Sequence, residues 1–167
     1  MKERMHTIKI TALIGLFVGV LLTACGAPAG QDVPDAQDVP DAQVMSVYKS
    51  PTCGCCSDWV GYVEQRGFTV AVEDVEDLAA IKAEHKIPAA MQSCHTALID
   101  GYVIEGHVPV EDIERLLAER PDVIGIAVPG MPIGSPGMEV AGTAPQPFDV
   151  VAFDAAGNTE VFASYHR

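Results

Sequence analysis

Three thiols fall within four residues at Cys53-Gly54-Cys55-Cys56, and a fourth stands beside an imidazole at Cys94-His95. Thiolates are soft ligands that suit Cu(I), Zn(II) or an iron–sulfur cluster, and they are also the nucleophiles of disulfide exchange. Cys53 and Cys56 have the C-x-x-C spacing of a redox pair and could close a disulfide in an oxidising compartment. Such a pair leaves Cys55 and Cys94 unexplained. The surplus points to a thiolate metal site.

The elements around these residues must position them. Val44–Tyr48 is a short β-type run that leads through Lys49-Ser50-Pro51-Thr52 into a helical pattern over Ser57–Arg66. Trp59, Val60 and Val63 form its apolar stripe and Gly67 its stop. The thiols then sit at a helix N-terminus, where unpaired N–H groups and the helix dipole favour a thiolate. On a helix Cys55 would lie roughly 200° from Cys53 and about 100° from Cys56. One metal collects all three only if Cys53 and Gly54 lie in the preceding loop, which glycine permits.

Downstream, Phe68–Val72 alternates as a strand, and Asp74 reads as the N-cap of a helix carrying Leu78 and Ile81 that ends before Pro88. Thr96–Ile99 and Tyr102–Glu105 flank Asp100-Gly101, a hairpin dipeptide. Pro109 opens a helix bearing Ile113, Leu116 and Leu117 that stops near Pro121. The order β-α-β-α-β-β-α predicts an α/β fold, a thioredoxin-like mixed sheet with flanking helices. A Gly/Pro-rich loop over 123–138 and a terminal hairpin, Phe148–Phe153 with Thr159–Tyr165 about Ala156-Gly157-Asn158, extend it.

In a thioredoxin-like frame the loop before the third strand faces the first helix, so Cys94 is expected to return to Cys53, Cys55 and Cys56. His95 reads as either a ligand or a group orienting a thiolate, and His107, after Gly106, occupies another loop bordering the site. Met131 and Met138 offer thioethers, although a methionine in a Gly/Pro loop more often packs on the core. Trp59 reads as helix-to-sheet packing beside the site, His85 as a solvated or capping residue, and His166 as a terminal one. Adjacent Cys55-Cys56 is poor geometry for one tetrahedral zinc, whereas thiolates bridge several Cu(I) ions. Four thiolates around one Zn(II) also carry net −2, while several Cu(I) ions approach neutrality and leave less charge to desolvate. Cu(I), more than one ion, is the preferred reading, and zinc the alternative.

The N-terminus supplies an address. Lys2, Arg4 and Lys9 precede an apolar run from Ile10 to Leu22, and Leu22-Thr23-Ala24-Cys25 resembles a bacterial lipobox. Residues 1–24 thus read as a lipoprotein signal peptide and Cys25 as the lipidated N-terminus. Gly26 after the cysteine fits sorting to an outer membrane, facing the periplasm. Residues 25–43 repeat Gln-Asp-Val-Pro-Asp-Ala twice and read as an acidic, Pro-rich tether. The folded domain is then 44–167. The chain carries net −13; loss of residues 1–24 removes three of ten basic and one of 23 acidic groups, leaving 7 against 22, or −15. That charge argues against nucleic acid as a partner.

Thr52-Cys-Gly-Cys-Cys56 with Trp59, Ser93-Cys-His-Thr96, Gly101-Tyr-Val-Ile-Glu-Gly-His-Val-Pro109 and Val128-Pro-Gly-Met-Pro-Ile-Gly-Ser-Pro-Gly-Met-Glu139 together resemble the CopG-type copper-resistance proteins. The resemblance covers roughly Met45 to Tyr165. It implies cysteine-bridged Cu(I) at Cys53, Cys55, Cys56 and Cys94 and a role in Cu(I)/Cu(II) redox during copper detoxification, with an efflux or redox protein as partner. Two other functions compete: a thiol–disulfide oxidoreductase using Cys53 and Cys56, and a passive copper chaperone.

Overall fold

The computed structural model describes residues 44–166. The signal peptide, the lipidated Cys25 and the tether expected from the sequence lie outside the described residues. Among those described, no helix is long and apolar enough to cross a membrane.

Among the described residues, seven strands form one mixed sheet. They are β1 (Val44–Lys49), β2 (Thr69–Asp74), β3 (His95–Ile99), β4 (Tyr102–Glu105), β5 (Gly125–Ala127), β6 (Phe148–Phe153) and β7 (Thr159–Tyr165). The helices are α1 (Gly54–Glu64), α2 (Leu78–Glu84) and α3 (Val110–Glu119), with a 3-10 turn at Ala89–Met91. The spatial order is β2-β1-β3-β4-β5-β6-β7. β1 pairs parallel with β2 and antiparallel with β3, which pairs antiparallel with β4. The α/β class and the β-α-β-α-β-β-α order therefore hold.

Strand alternation assigns the two faces. Ala97, Ile99, Tyr102 and Ile104 join Met45 and Val47 in the main core, against Trp59, Val60 and Val63 of α1 and Val110, Ile113 and Leu116 of α3. Val103 points the other way, with Ala127, Phe153 and Ile87 in a smaller cluster that Leu98 flanks. Because β3 and β4 are covered on both faces, nearly all their residues are buried. The Asp100-Gly101 turn takes φ values of 50° and 84°, the left-handed pair that matches hairpin twist.

Several local expectations shift. The first helix begins at Gly54 rather than Ser57, with Cys53 as its N-cap. Asp74 does not cap α2; it ends β2, where its carboxylate accepts from Lys49 Nζ at 2.8 Å, and Asp77 caps instead by accepting from Ala79 and Ala80 N–H. The buried residue of α2 is Lys82, while Leu78 and Ile81 are only partly covered. A short strand inside the Gly/Pro region, β5, pairs parallel with β4 and links the terminal hairpin to the sheet.

Candidate metal centre

Cys53 closes the loop before α1: its N–H donates to Ser50 O at 3.0 Å, and its extended backbone (φ −78°, ψ 97°) turns the chain into the helix. Cys53 therefore sits off the helix, while Gly54, expected in the loop with it, is the first helical residue; Cys53 alone outside the helix is enough for the three neighbouring thiols to converge. They do converge. The Sγ atoms of Cys53, Cys55, Cys56 and Cys94 all lie within 4.8 Å of one another. Cys53 and Cys56 are joined by a disulfide, leaving Cys55 and Cys94 free. Cys55 Sγ stands 3.6 Å from Cys53 Sγ, and Cys56 Sγ stands 3.6 Å from Cys94 O. Four-thiolate ligation thus requires two-electron reduction of that disulfide first.

Cys94 belongs to a second set as well. Its Sγ, a ring nitrogen of His95 and one of His107 lie within the same 4.8 Å limit. His107 Nδ1 is 2.8 Å from Pro136 O, and a carbonyl can only accept, so Nδ1 carries the proton. Nε2 is then a lone pair, 3.1 Å from Cys94 Sγ. The Cys94 S–H donates to it. His95 Nδ1, 3.4 Å from the same sulfur, takes the other role and donates to Cys94 Sγ. That assignment leaves His95 Nε2 as an unprotonated nitrogen, fully buried and without a hydrogen-bond partner. A buried imidazole nitrogen without a partner, on a ring whose Nδ1 meets one of the four sulfurs, is a borderline donor that fits a metal site.

Burial and the neighbouring Cys55 push the Cys94 thiol up to about 12. Ligation must therefore displace its proton, and His107 Nε2 is the atom placed to receive it. Burial, then the charges of His107 and Lys82, hold the His95 imidazole well below its ordinary value of 6.5; burial also lowers His107. A depressed imidazole favours the neutral native form, so its stabilisation is complete above pH 6.5 and is lost as pH falls below that value. We expect the metal-free protein to lose up to about 1.4 kcal/mol per pH unit through His95 alone as the pH drops from 6.5. Urea unfolding at pH 7.5 and 5.5 measures this; a stability unchanged by acid would contradict it.

Trp59 is fully buried, donates from Nε1 to Val108 O at 3.0 Å, and lays its ring 4.5 Å from that of His95. The Gly/Pro loop roofs the site. Ser93 Oγ donates to Gly130 O, Pro136 O receives His107 Nδ1–H, and Gly137 lies against the backbone of Cys55 and Trp59. Within that loop Met131 is exposed and Met138 half-buried. His85 serves as the C-cap of α2, and His166 Nε2 lies 3.3 Å from Asp149. Neither is part of the centre.

Three contributors were not legible as site residues: the Pro136 carbonyl, Lys82 and Glu105. A backbone carbonyl has no sequence signal. A lysine four residues after Leu78 on the inward side of α2, and a glutamate ending the apolar run Tyr102-Val-Ile, were signals that could have been used.

The fold and much of the sequence are shared with known proteins. Residues 91–138 match the family described as protein of unknown function, DUF411. No curated protein matches the chain. Two solved structures do: one described as copper resistance protein copG, form 2, with 43% identity over 75% of this chain and 100% of the other, at a TM-score of 0.71. Its form 1 matches with 43% identity over 75% and 98% of the respective chains, at a TM-score of 0.70. With a cysteine cluster capable of binding metal and this identity over most of its length, the chain belongs to the CopG family of copper-resistance proteins.

Proposed function

We propose that the protein binds Cu(I) through Cys53, Cys55, Cys56 and Cys94 on a thioredoxin-like frame, and takes part in copper resistance by holding copper and interconverting Cu(I) and Cu(II). The observation that carries the reading is the convergence of four Sγ atoms within 4.8 Å on a chain 43% identical to a copper resistance protein. Copper is cargo or substrate here. Thiolates favour the reduced ion, and neighbouring thiolates can bridge more than one. His95 and His107 border the same sulfur and supply harder nitrogen donors, which suit the oxidised ion better. Lipidation at Cys25 and an envelope location belong to the same proposal and rest on the lipobox alone; an efflux or redox protein would be the partner.

A second reading is favoured by one observation, the Cys53–Cys56 disulfide at a helix N-terminus, which is where a thiol–disulfide oxidoreductase keeps its pair. Anaerobic titration of the reduced protein with Cu(I) against a chelator, together with an insulin-reduction assay, separates the two. At least one tightly held Cu(I) per chain, with negligible insulin reduction, is expected. Trp59, the only tryptophan in the chain, should report the same event by fluorescence quenching. Less than one ion per chain with brisk disulfide reduction would overturn the copper reading.

Cys55→Ser sharpens the comparison, because it leaves the Cys53–Cys56 pair intact. Cu(I) affinity is expected to fall at least about tenfold, that is by ~1.4 kcal/mol. A dithiol enzyme would tolerate the change, so unchanged affinity would count against a site built from all four sulfurs.

A further inference from the structure

Behind the thiols, on the opposite face of the sheet, lies a buried ion pair that the copper reading does not use. Lys82 is 5% exposed and Glu105 fully buried, and Lys82 Nζ donates to Glu105 Oε1. Lys82 is the buried residue of α2, so that helix is anchored through a charge rather than an apolar side chain. Taking both charges out of water costs several kcal/mol per ion before their attraction offsets it, so stability alone is a weak reason for such a pair.

The other bonds of the carboxylate show what it holds. Ser93 N–H donates to Glu105 Oε1 at 2.6 Å, and Thr96 Oγ1 donates to Oε2 at 2.7 Å. Lys82 Nζ also donates to Thr96 Oγ1 at 3.1 Å. Ser93 and Thr96 are the residues on either side of Cys94-His95. Thr96 and Glu105 are direct cross-strand partners in β3 and β4. Strand alternation sends Thr96 to the α2 face and His95 to the α1 face, where its ring meets Trp59. Glu105 also precedes Gly106-His107, and Gly106 N–H donates to His95 O at 3.0 Å. One carboxylate thus clamps both ends of the segment that presents Cys94 and His95, two residues before His107 in the chain.

We propose that Glu105, neutralised by Lys82, is a positioning residue that fixes Cys94 and His95 in the geometry the metal centre needs. It acts through Ser93 and Thr96 and touches no metal. Glutamine replaces it only in part. With its oxygen toward Ser93 N–H and Lys82 Nζ, its nitrogen must donate to Thr96 Oγ1, which then loses its own acceptor, and the Lys82 charge is left unanswered.

The test has two readouts, and only one depends on copper. In the full-length, reduced, metal-free protein, alkylation of Cys94 by iodoacetamide, followed by peptide mass spectrometry, reports how firmly the segment is held. Glu105→Gln is expected to speed Cys94 alkylation at least about tenfold, while Cys55 alkylation stays within about twofold. Cu(I) affinity, measured by chelator competition, is expected to fall by about 10- to 100-fold, the range for groups that orient metal ligands. Because Glu105→Gln leaves a buried lysine unpaired and could unfold the protein, Lys82→Met/Glu105→Leu is the companion. Apolar replacement of a whole buried pair is often neutral for stability. The inference predicts a double variant that melts near the wild-type temperature yet shows fast Cys94 alkylation and weakened Cu(I) binding. Wild-type alkylation and affinity in a folded double variant would overturn it and make the pair merely structural. The copper affinity arm rests on the proposed function. If the wild-type protein itself bound no Cu(I), that reading would fail, while the alkylation comparison would still decide the role of Glu105.

Discussion

Cys94→Ser is expected to weaken Cu(I) binding by roughly 100- to 1,000-fold while leaving the fold intact. A thiolate site typically binds its metal with about 10–16 kcal/mol, a figure measured for zinc; shared among four ligands, it assigns ~2.5–4 kcal/mol to each. Cys94 should lie at or above that share, because it alone belongs both to the four-sulfur set and to the set with His95 and His107. Serine keeps a donor for His107 Nε2, so the hydrogen bond at 3.1 Å can be re-formed and thermal stability should change by less than about 1 kcal/mol. A hydroxyl, however, is hard and does not ligate Cu(I). The pH dependence gives a second handle. With the metal-free thiol pushed up to about 12, Cys94 is protonated throughout the neutral range, so each Cu(I) it binds releases a proton. Wild-type affinity should therefore rise as pH rises from 6 to 8, and the Ser variant should release about one proton fewer per chain. Chelator competition at three pH values measures both. A variant within tenfold of wild type, with the same pH slope, would remove Cys94 from the ligand set.

Much of this centre could be read before any coordinates, and the reason is local. The C-x-x-C spacing, the helix stripe of Trp59, Val60 and Val63, and the Asp100-Gly101 turn each encode their geometry within a few residues. Placing Cys94 opposite Cys53 needed only the order of elements, since antiparallel pairing of β1 and β3 brings Lys49 level with His95. What could not be read depends on distant partners. β5 is three residues long, too short for a period to show, and exists because β4 offers it a parallel edge. The choice of Asp77 over Asp74 as helix cap was set by Lys49, which reaches across from β1 to claim Asp74. Lys82 stands one turn after Leu78, which hints at an inward side, but nothing near it in sequence reveals its partner Glu105, 23 positions away. His107 was visible as a neighbour of the site, but its tautomer was not: the carbonyl that fixes it comes from Pro136, 29 positions later.

Gly137→Ala should be strongly destabilising for a single added methyl, and its effect should reach the metal centre. Gly137 sits at φ +78°, and a Cβ there would stand 2.7 Å from Trp59 N and 3.1 Å from Cys55 O. A side chain in left-handed backbone costs about 1–2 kcal/mol. The overlap adds ~1–3 kcal/mol, because the obstacle is helix backbone and cannot rotate away. The loop is the softer partner and must lift. Lifting it draws Pro136 O from His107 Nδ1, so the imidazole loses the bond that fixes its proton, and Cys94 loses its acceptor. We expect a destabilisation of about 2–5 kcal/mol by urea unfolding followed through Trp59 fluorescence, with Cu(I) affinity down by roughly tenfold. Gly142→Ala is the control. Its φ is +77°, nearly the same, but a Cβ there meets nothing within 4 Å, so only the backbone term of about 1–2 kcal/mol applies and copper binding should be untouched. If the two alanines cost the same and neither alters Cu(I) affinity, the Gly/Pro loop does not hold the site. A difference of ~1 kcal/mol or more, accompanied by weaker copper binding for Gly137→Ala alone, would show that a loop with no ligand assigned to it sets the protonation of His107 and with it the readiness of Cys94 to bind.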